Sequence, residues 1–242
     1  MEGKIYLSVI IPAYNEERRI KNTLLEIDEF LTTQNYNYEI IVVNDGSRDG
    51  TVELVKNLQK SVKKLKIISN QKNYGKGHAI RQGLLKASGE FRLFTDADNA
   101  TSIEQIQNFL PFFQKGFEIV IGSRNLQNSR IKKHQPLYRE ILGNLGNFLI
   151  QILVISGIKD TQCGFKCFSA KLVKDIFPKL KINRWGFDIE ILILAKKKGY
   201  KIKAVPVIWT NDINSKVALS AYLGTLKELL QIKWNIIKGK YK

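Results

Sequence analysis

The first 122 residues alternate short apolar runs with longer stretches of helical spacing. Leu7-Ser8-Val9-Ile10-Ile11, closed by Pro12, has the continuous apolar character of a buried strand. Ile20, Leu24, Ile27 and Leu31 then recur at a helical period. Glu39 to Val43 predicts a second strand, stopped by Asp45-Gly46-Ser47. Thr51 is expected to cap a helix carrying Val52, Val55, Leu58 and Val62. A strand at Leu65 to Ile68, a helix over Gly75 to Lys86 and a strand at Glu90 to Thr95 follow. Ser102 is expected to open a helix with Ile103, Ile106, Leu110 and Phe113 on one face, before a fifth strand at Glu118 to Ile121. Strands alternating with helices predict an α/β fold with a mainly parallel, doubly wound sheet flanked by helices.

The second half is less regular. Tyr138, Ile141, Leu145, Phe148, Ile152 and Ile155 form an amphipathic stripe, and a compact segment runs from Asp160 to Ser169. A helix is expected near Phe187 to Lys197, then two strands, Ile202 to Val205 and Val207 to Trp209, interrupted by Pro206. A basic, apolar helix, Val217 to Lys238, closes the chain. No Pro/Gly/Ser linker divides the halves. The expectation is one domain over residues 1–215 and a C-terminal amphipathic helical extension over 216–242.

Charge changes this picture. The net charge is +17, carried by 39 Lys/Arg against 22 Asp/Glu. Residues 1–130 hold 18 basic and 15 acidic side chains, whereas residues 131–242 hold 21 and 7. Such asymmetry suits a polyanionic partner: an anionic membrane, a nucleic acid or a phosphorylated substrate. The plainer alternative is an ordinary lysine-rich solvated surface. The two cysteines, Cys163 and Cys167, make no disulfide framework and fit a reducing compartment. A zinc site is not expected, because only His78 and His134 are available as partners. No signal peptide is predicted. The longest near-apolar run, Phe148 to Ile158, has 11 residues, against about 20 needed to span a bilayer.

Ligands of open α/β sheets bind beyond the carboxyl ends of the strands. Polar residues gather there after all five expected strands: Pro12, Tyr14, Asn15 and Glu16; Asn44, Asp45, Gly46 and Ser47; Asn73, Gly75, Lys76 and Gly77; Asp96, Asp98 and Asn99; Ser123, Arg124 and Asn125. Asp96 and Asp98, two residues apart on an extended segment, point the same way and suit a hard divalent cation such as Mg²⁺ or Mn²⁺. A turn with a helix cap would use the same residue types. Gly75-Lys76-Gly77 would let backbone amides and an ammonium approach an anion, or would serve as a helix-entry turn. Asp45 is either a hydrogen-bond acceptor for a base or an Asx turn, and Tyr14 a stacking platform or a packed rim aromatic.

These residues resemble family 2 glycosyltransferases of the GT-A fold. The matching text is Val9 to Glu16, Val42 to Thr51, Asn73 to Gly77, Asp96-Ala97-Asp98 and Gly122-Ser123-Arg124. In the second half, Asp160 to Lys166, Trp185 to Glu190, Val205 to Trp209 and Ser215-Lys216-Val217 look like the polyprenyl-phosphate branch, nearest the dolichyl-phosphate β-glucosyltransferases. The resemblance implies a nucleotide-sugar donor bound around Pro12, Tyr14, Glu16, Val43 and Asp45, with Lys76 and Asp96 at its phosphates. It implies a metal on Asp96 and Asp98, and Arg124 near donor and acceptor phosphates. Asp160 is implied as base or acceptor orienter. Asn211 stands where the related mannose synthases carry a phosphate-binding arginine, so Ser215 and Lys216 are expected to supply that contact.

The implied reaction moves a hexose, glucose from UDP-glucose, onto a dolichyl or polyprenyl phosphate. The alternatives are mannose transfer or a glycan acceptor. A lipid acceptor would place the protein peripherally on the cytoplasmic face of an anionic membrane, with Leu223, Leu226, Leu230, Trp234 and Ile237 of the last helix in the interface. A nucleic-acid binder is the competing class. It leaves the paired carboxylates unexplained, and no RNP, KH or zinc-finger pattern supports it, so no nucleic-acid partner is expected.

Overall fold

The computed structural model describes residues 3–133, 157–210 and 219–241. Nine strands and seven α-helices are defined among them: β1 (Leu7–Ala13), α1 (Ile20–Thr32), β2 (Tyr38–Asn44), α2 (Thr51–Leu58), β3 (Leu65–Ser69), α3 (Lys76–Lys86), β4 (Phe91–Thr95), α4 (Leu110–Gln114), β5 (Ile119–Ser123), β6 (Arg130–Lys133), β7 (Phe165–Ser169), α5 (Ala170–Ile176), α6 (Phe187–Lys197), β8 (Ile202–Pro206), β9 (Ile208–Thr210) and α7 (Leu219–Ile237). Short 3-10 turns cover Ile103–Asn108 and Phe177–Lys179.

Seven strands form one sheet in the order β3-β2-β1-β4-β7-β5-β8, and β6 pairs with β9 beside it. All neighbours in the large sheet are parallel except β7, which runs antiparallel to both β4 and β5. Each strand face meets its own helix layer. Val9 and Ile11 of β1 pack with Leu24, Ile27 and Leu31 of α1, while Ile10 packs with Ile80 and Leu84 of α3. This is the two-residue alternation of a strand buried on both sides. Cys163 and Cys167 are buried free thiols in the first of these layers, and burial pushes Cys163 up to about 11.

Three expectations change. The segment Asp160 to Ser169 is not merely compact: it supplies β7, the one reversed strand, inserted between β4 and β5 inside the sheet. Its apolar run is broken by Lys166, which is fully buried, so the strand pattern is hidden. Thr51 does not cap α2. It is the first helical residue after Gly50, and its hydroxyl accepts from the backbone N–H of Glu16 at 2.8 Å. Ser102 opens a 3-10 turn and gives no side-chain cap, and the α-helix begins only at Leu110. The stripe expected over 138–155 lies outside the described residues, as do Asn211, Ser215 and Lys216.

The closing helix α7 joins the main core. Leu229 and Ile232 are 3% and 0% exposed within the layer formed by α3, α5 and α6. Its other side is open, with Leu226, Leu230, Trp234 and Ile237 at 37%, 56%, 56% and 68% exposure. No described helix is long and apolar enough to cross a membrane.

Candidate active site

The carboxyl ends of β1, β2, β3, β4 and β5 share one rim, because these strands run in one direction. The reversal of β7 brings its amino end, and with it Asp160 to Gly164, to that same rim. Two rim residues adopt left-handed backbone: Asn15 at φ 57° and Asn99 at φ 50°. Asparagine is among the few residue types that tolerate this region. Asn15 also ties two loops together, its N–H donating to Ser47 Oγ at 2.9 Å and its Oδ1 accepting from Arg48 N at 2.8 Å.

At the β4 end, the Lys76 ammonium meets Asp96 Oδ1 at 2.6 Å, and Arg19 Nη1 stands 4.0 Å from Asp98 Oδ2. Asp98 Oδ1 accepts from Ala100 N at 3.1 Å. Burial, then the neighbouring Asp96 charge, pushes the Asp98 carboxyl above its usual range. Burial alone would lower the Lys76 ammonium. The surrounding Asp96, Asp188 and Asp98 overcome this and raise it. Gly164 lies against this cluster from the β7 side, where a Cβ would collide with the Asp96 carboxylate.

On the other side of β7, Arg124 and Asp160 form a bidentate pair. Nε donates to Oδ2 at 2.8 Å, Nη2 to Oδ1 at 2.9 Å, and the Arg124 backbone N–H adds a third bond at 2.9 Å. Asp160 is 3% exposed. Burial pushes its carboxyl up, but the Arg124 guanidinium and its hydrogen bonds prevail and hold it below its ordinary value. The Arg124 guanidinium lies 5.4 Å from the Trp209 ring centre. Next to it, the Thr161 hydroxyl is buried with no hydrogen-bond partner among the described residues. Between the two clusters, fully buried Lys166 faces Asp188 at 2.7 Å. The Lys166–Asp188 pair was not singled out from the sequence. The only signal was one lysine inside an apolar run.

The remaining expected residues are placed as follows. Tyr14 is 38% exposed at the rim, and Pro12 is half-buried. Val43 is 0% exposed, its side chain in the core, so its reach to any ligand is through backbone. Glu16 is nearly buried and accepts from Arg19 Nη2 at 3.0 Å. Asp45 is turned toward the protein: Oδ1 accepts from Asn70 Nδ2 at 3.2 Å and Tyr74 N at 3.0 Å, and Oδ2 from Gly75 N at 2.7 Å. It anchors the turn that presents Lys76, with one lone pair still available on Oδ2. The glycines flanking Lys76 are packed closely against the 183–187 segment. Gly75, at φ 110°, lies against Asn183 O, and a Cβ on Gly77 would come within 2.6 Å of Phe187 Cβ. The His78 N–H is already given to Asn183 O at 3.0 Å.

The rim thus holds a carboxylate pair short of positive charge and, beside it, a cation fixed by its own carboxylate. Chemically, such an arrangement can accommodate a phosphorylated ligand together with a cation. Residues 8–177 match glycosyl transferase family 2. The chain is 37% identical to a Trichomonas vaginalis protein named dolichyl-phosphate beta-glucosyltransferase ALG5D, over 95% of this chain and 73% of that one. It is 36% identical to the Dictyostelium discoideum dolichyl-phosphate beta-glucosyltransferase, over 98% and 77% of the two chains. Among solved structures, mannosyl-3-phosphoglycerate synthase from Rubrobacter xylanophilus is similar with a TM-score of 0.73 at 15% identity, covering 98% of this chain and 75% of that one. Glucosyl-3-phosphoglycerate synthase from Mycobacterium tuberculosis, in complex with uridine diphosphate, gives 0.70 at 19% identity over 95% and 80%. The mannosyltransferase PcManGT from Pyrobaculum calidifontis, in complex with GDP-Man and Mn²⁺, gives 0.63 at 20% identity over 98% and 65%.

The fold is therefore that of a GT-A glycosyltransferase. The chain belongs to glycosyl transferase family 2.

Proposed function

We propose that this protein transfers glucose from UDP-glucose to dolichyl phosphate, or a related polyprenyl phosphate, at a membrane surface. The reading is carried by the adjacency, at one sheet rim, of the Lys76–Asp96–Asp98 cluster and the Arg124–Asp160 clamp. It occurs in a chain similar over nearly its whole length to proteins named for that activity.

Asp96 and Asp98 fit a divalent cation. They are paired carboxylates whose mutual repulsion is relieved by added positive charge. Mg²⁺ and Mn²⁺ are commonly held by one or two protein carboxylates, with water and phosphate oxygens completing the shell. When bound, the ion would neutralise charge on the leaving diphosphate.

In the reaction an acceptor phosphate oxygen attacks the sugar C1, the C1–oxygen bond to the donor phosphate breaks, and its electron pair departs with the nucleoside diphosphate. A phosphate monoester has a second pKa of about 6, so at neutral pH the nucleophile is already ionised and needs no general base. Asp160, held ionised against Arg124, orients that guanidinium toward the phosphates instead of taking a proton. Lys76 supplies charge on the donor side, with Trp185 beside it at 5.6 Å from ring centre to Nζ. Pro12, Tyr14, Glu16, Val43 and Asp45 frame the nucleoside end. Ser215 and Lys216 remain the proposed acceptor-phosphate contacts.

The open face of α7 is the proposed membrane contact. Leu226, Leu230, Trp234 and Ile237 would enter the interface while Lys227, Lys233 and Lys238 meet anionic headgroups. This makes the protein peripheral on the cytoplasmic leaflet.

The decisive experiment offers UDP-glucose and GDP-mannose in parallel with a polyprenyl phosphate and measures the lipid-linked sugar. Glucosyl lipid is the expected product. Mannosyl lipid would replace the donor assignment, and absence of any lipid product would overturn the reading.

A further inference from the structure

We propose that α7 is a clamp on the donor side of the site, with Glu228 and Glu190 as positioning residues that act on Lys76 through the backbone beside Trp185. This rests on the nucleotide-sugar reading above and extends it to residues far from the rim motifs.

The segment from Leu180 to Gly186 has no strand partner. It forms the wall against which the Lys76 turn is packed: Asn183 O holds His78 N, Arg81 Nη1 donates to Leu180 O at 2.7 Å, and Trp185 flanks the Lys76 ammonium. Backbone N–H groups in such a segment need acceptors. Two carboxylates from two different helices provide them. Glu190 of α6 accepts from Lys181 N at 2.9 Å and Ile182 N at 3.0 Å. Glu228 of α7 accepts from Gly186 N at 2.7 Å.

Glu190 is itself tied to the C-terminal region. Tyr241, just beyond α7, donates its hydroxyl to Glu190 Oε1 at 2.6 Å. Glu190 is 0% exposed, and a buried carboxylate is costly to retain unless its hydrogen bonds fix a geometry. The apolar contacts of Leu229 and Ile232 already attach α7 to the core. The acids add something apolar contacts do not: a directional grip, 42 residues away in sequence, on the backbone next to Trp185. Lys76 is then held at Asp96 from two sides, by Asp45 through the Gly75 turn and by α7 through the 180–186 wall.

Binding of uridine diphosphate by the full chain, measured calorimetrically, tests the clamp with Glu228→Asp and Glu228→Gln. Aspartate keeps the charge but is one methylene short of Gly186 N. Glutamine keeps the reach, and its amide oxygen still accepts. Glu228→Asp is expected to weaken binding about tenfold and to lower the melting temperature by only a few degrees, with the transition retained, since a hydrogen bond to a charged group is lost. Glu228→Gln is expected to recover most of that loss. In a Lys76→Met background the Asp substitution should have no further effect, because the residue it positions is gone. Equal binding by the Asp variant and the parent would overturn the clamp. So would an Asp effect that persists without Lys76, or one that appears only with a lost melting transition. Failure of the parent chain to bind uridine diphosphate would instead overturn the donor reading itself.

Discussion

Asp160 and Asp98 stand at the same sheet rim and are the same residue type, yet their surroundings act in opposite directions. Asp160 is matched: three hydrogen bonds from Arg124 hold its carboxyl below the ordinary range despite burial. Asp98 is unmatched: burial and Asp96 push it up, and the nearest guanidinium nitrogen, on Arg19, is 4.0 Å away. The first carboxylate completes a structure. The second leaves a charge deficit that a ligand can fill. Rim position alone does not distinguish them. The difference lies in which cation the fold delivers to each.

This contrast can be broken most severely at the unmatched side. Asp98→Asn is expected to reduce transfer by about 10²- to 10³-fold, the scale seen when one electrostatic contact to a developing charge is removed. Activity at the parent level with metal chelated would dissolve the distinction. Asp160→Asn should cost less, roughly 10- to 100-fold, because Arg124 remains but loses its ionic partner. Titration of Mn²⁺ binding should separate the two, weakening in the Asp98 variant and holding in the Asp160 variant.

On the open side of α7, Leu230→Ser with Trp234→Ser should reduce binding to anionic vesicles about 100-fold or more, as expected from losing two buried apolar side chains, and flotation reads this. Transfer to a short, water-soluble acceptor phosphate should be unchanged. Equal flotation would move the membrane contact elsewhere.

The smallest effects are on stability, and they should have opposite signs. Without metal, Asp98→Asn removes one of two repelling carboxylates and should raise the melting temperature by roughly 2–4 °C, the shift about 1 kcal/mol gives in a chain of this size. Asp160→Asn should lower it at pH 7. A carboxyl lowered in the fold stabilises it above the ordinary value of about 3.9 and loses that contribution as pH falls through its lowered value. The deficit of Asp160→Asn should therefore be full at neutral pH and shrink only below about pH 4. A deficit that is constant down to pH 3 would mean the ion pair is not its source.

Much of this was legible from residues in order. The five rim clusters follow from strands that end in polar residues, and a parallel sheet can only gather such ends on one edge. What stayed hidden were the partners. β7 was missed because Lys166 breaks an apolar run, and its burial makes sense only once Asp188 is seen 2.7 Å away. Gly75 and Gly77 suggested an anion cradle or a helix-entry turn, and nothing in their order showed that their missing side chains make room for the Asn183–Phe187 segment, more than a hundred residues on. Glu228 offered no signal, since a glutamate on a basic helix is ordinarily a solvated charge.

The sequence by itself determined the alternation of elements, the carboxyl-end rim and the Asp96–Asp98 pair, because periodicity and short-range spacing fix these locally. Only the tertiary structure decided which carboxylate is satisfied and which is short of charge. That depends on cations and backbone N–H groups brought in from distant parts of the chain, and a charge's behaviour is set by its neighbours in space rather than by its neighbours in sequence.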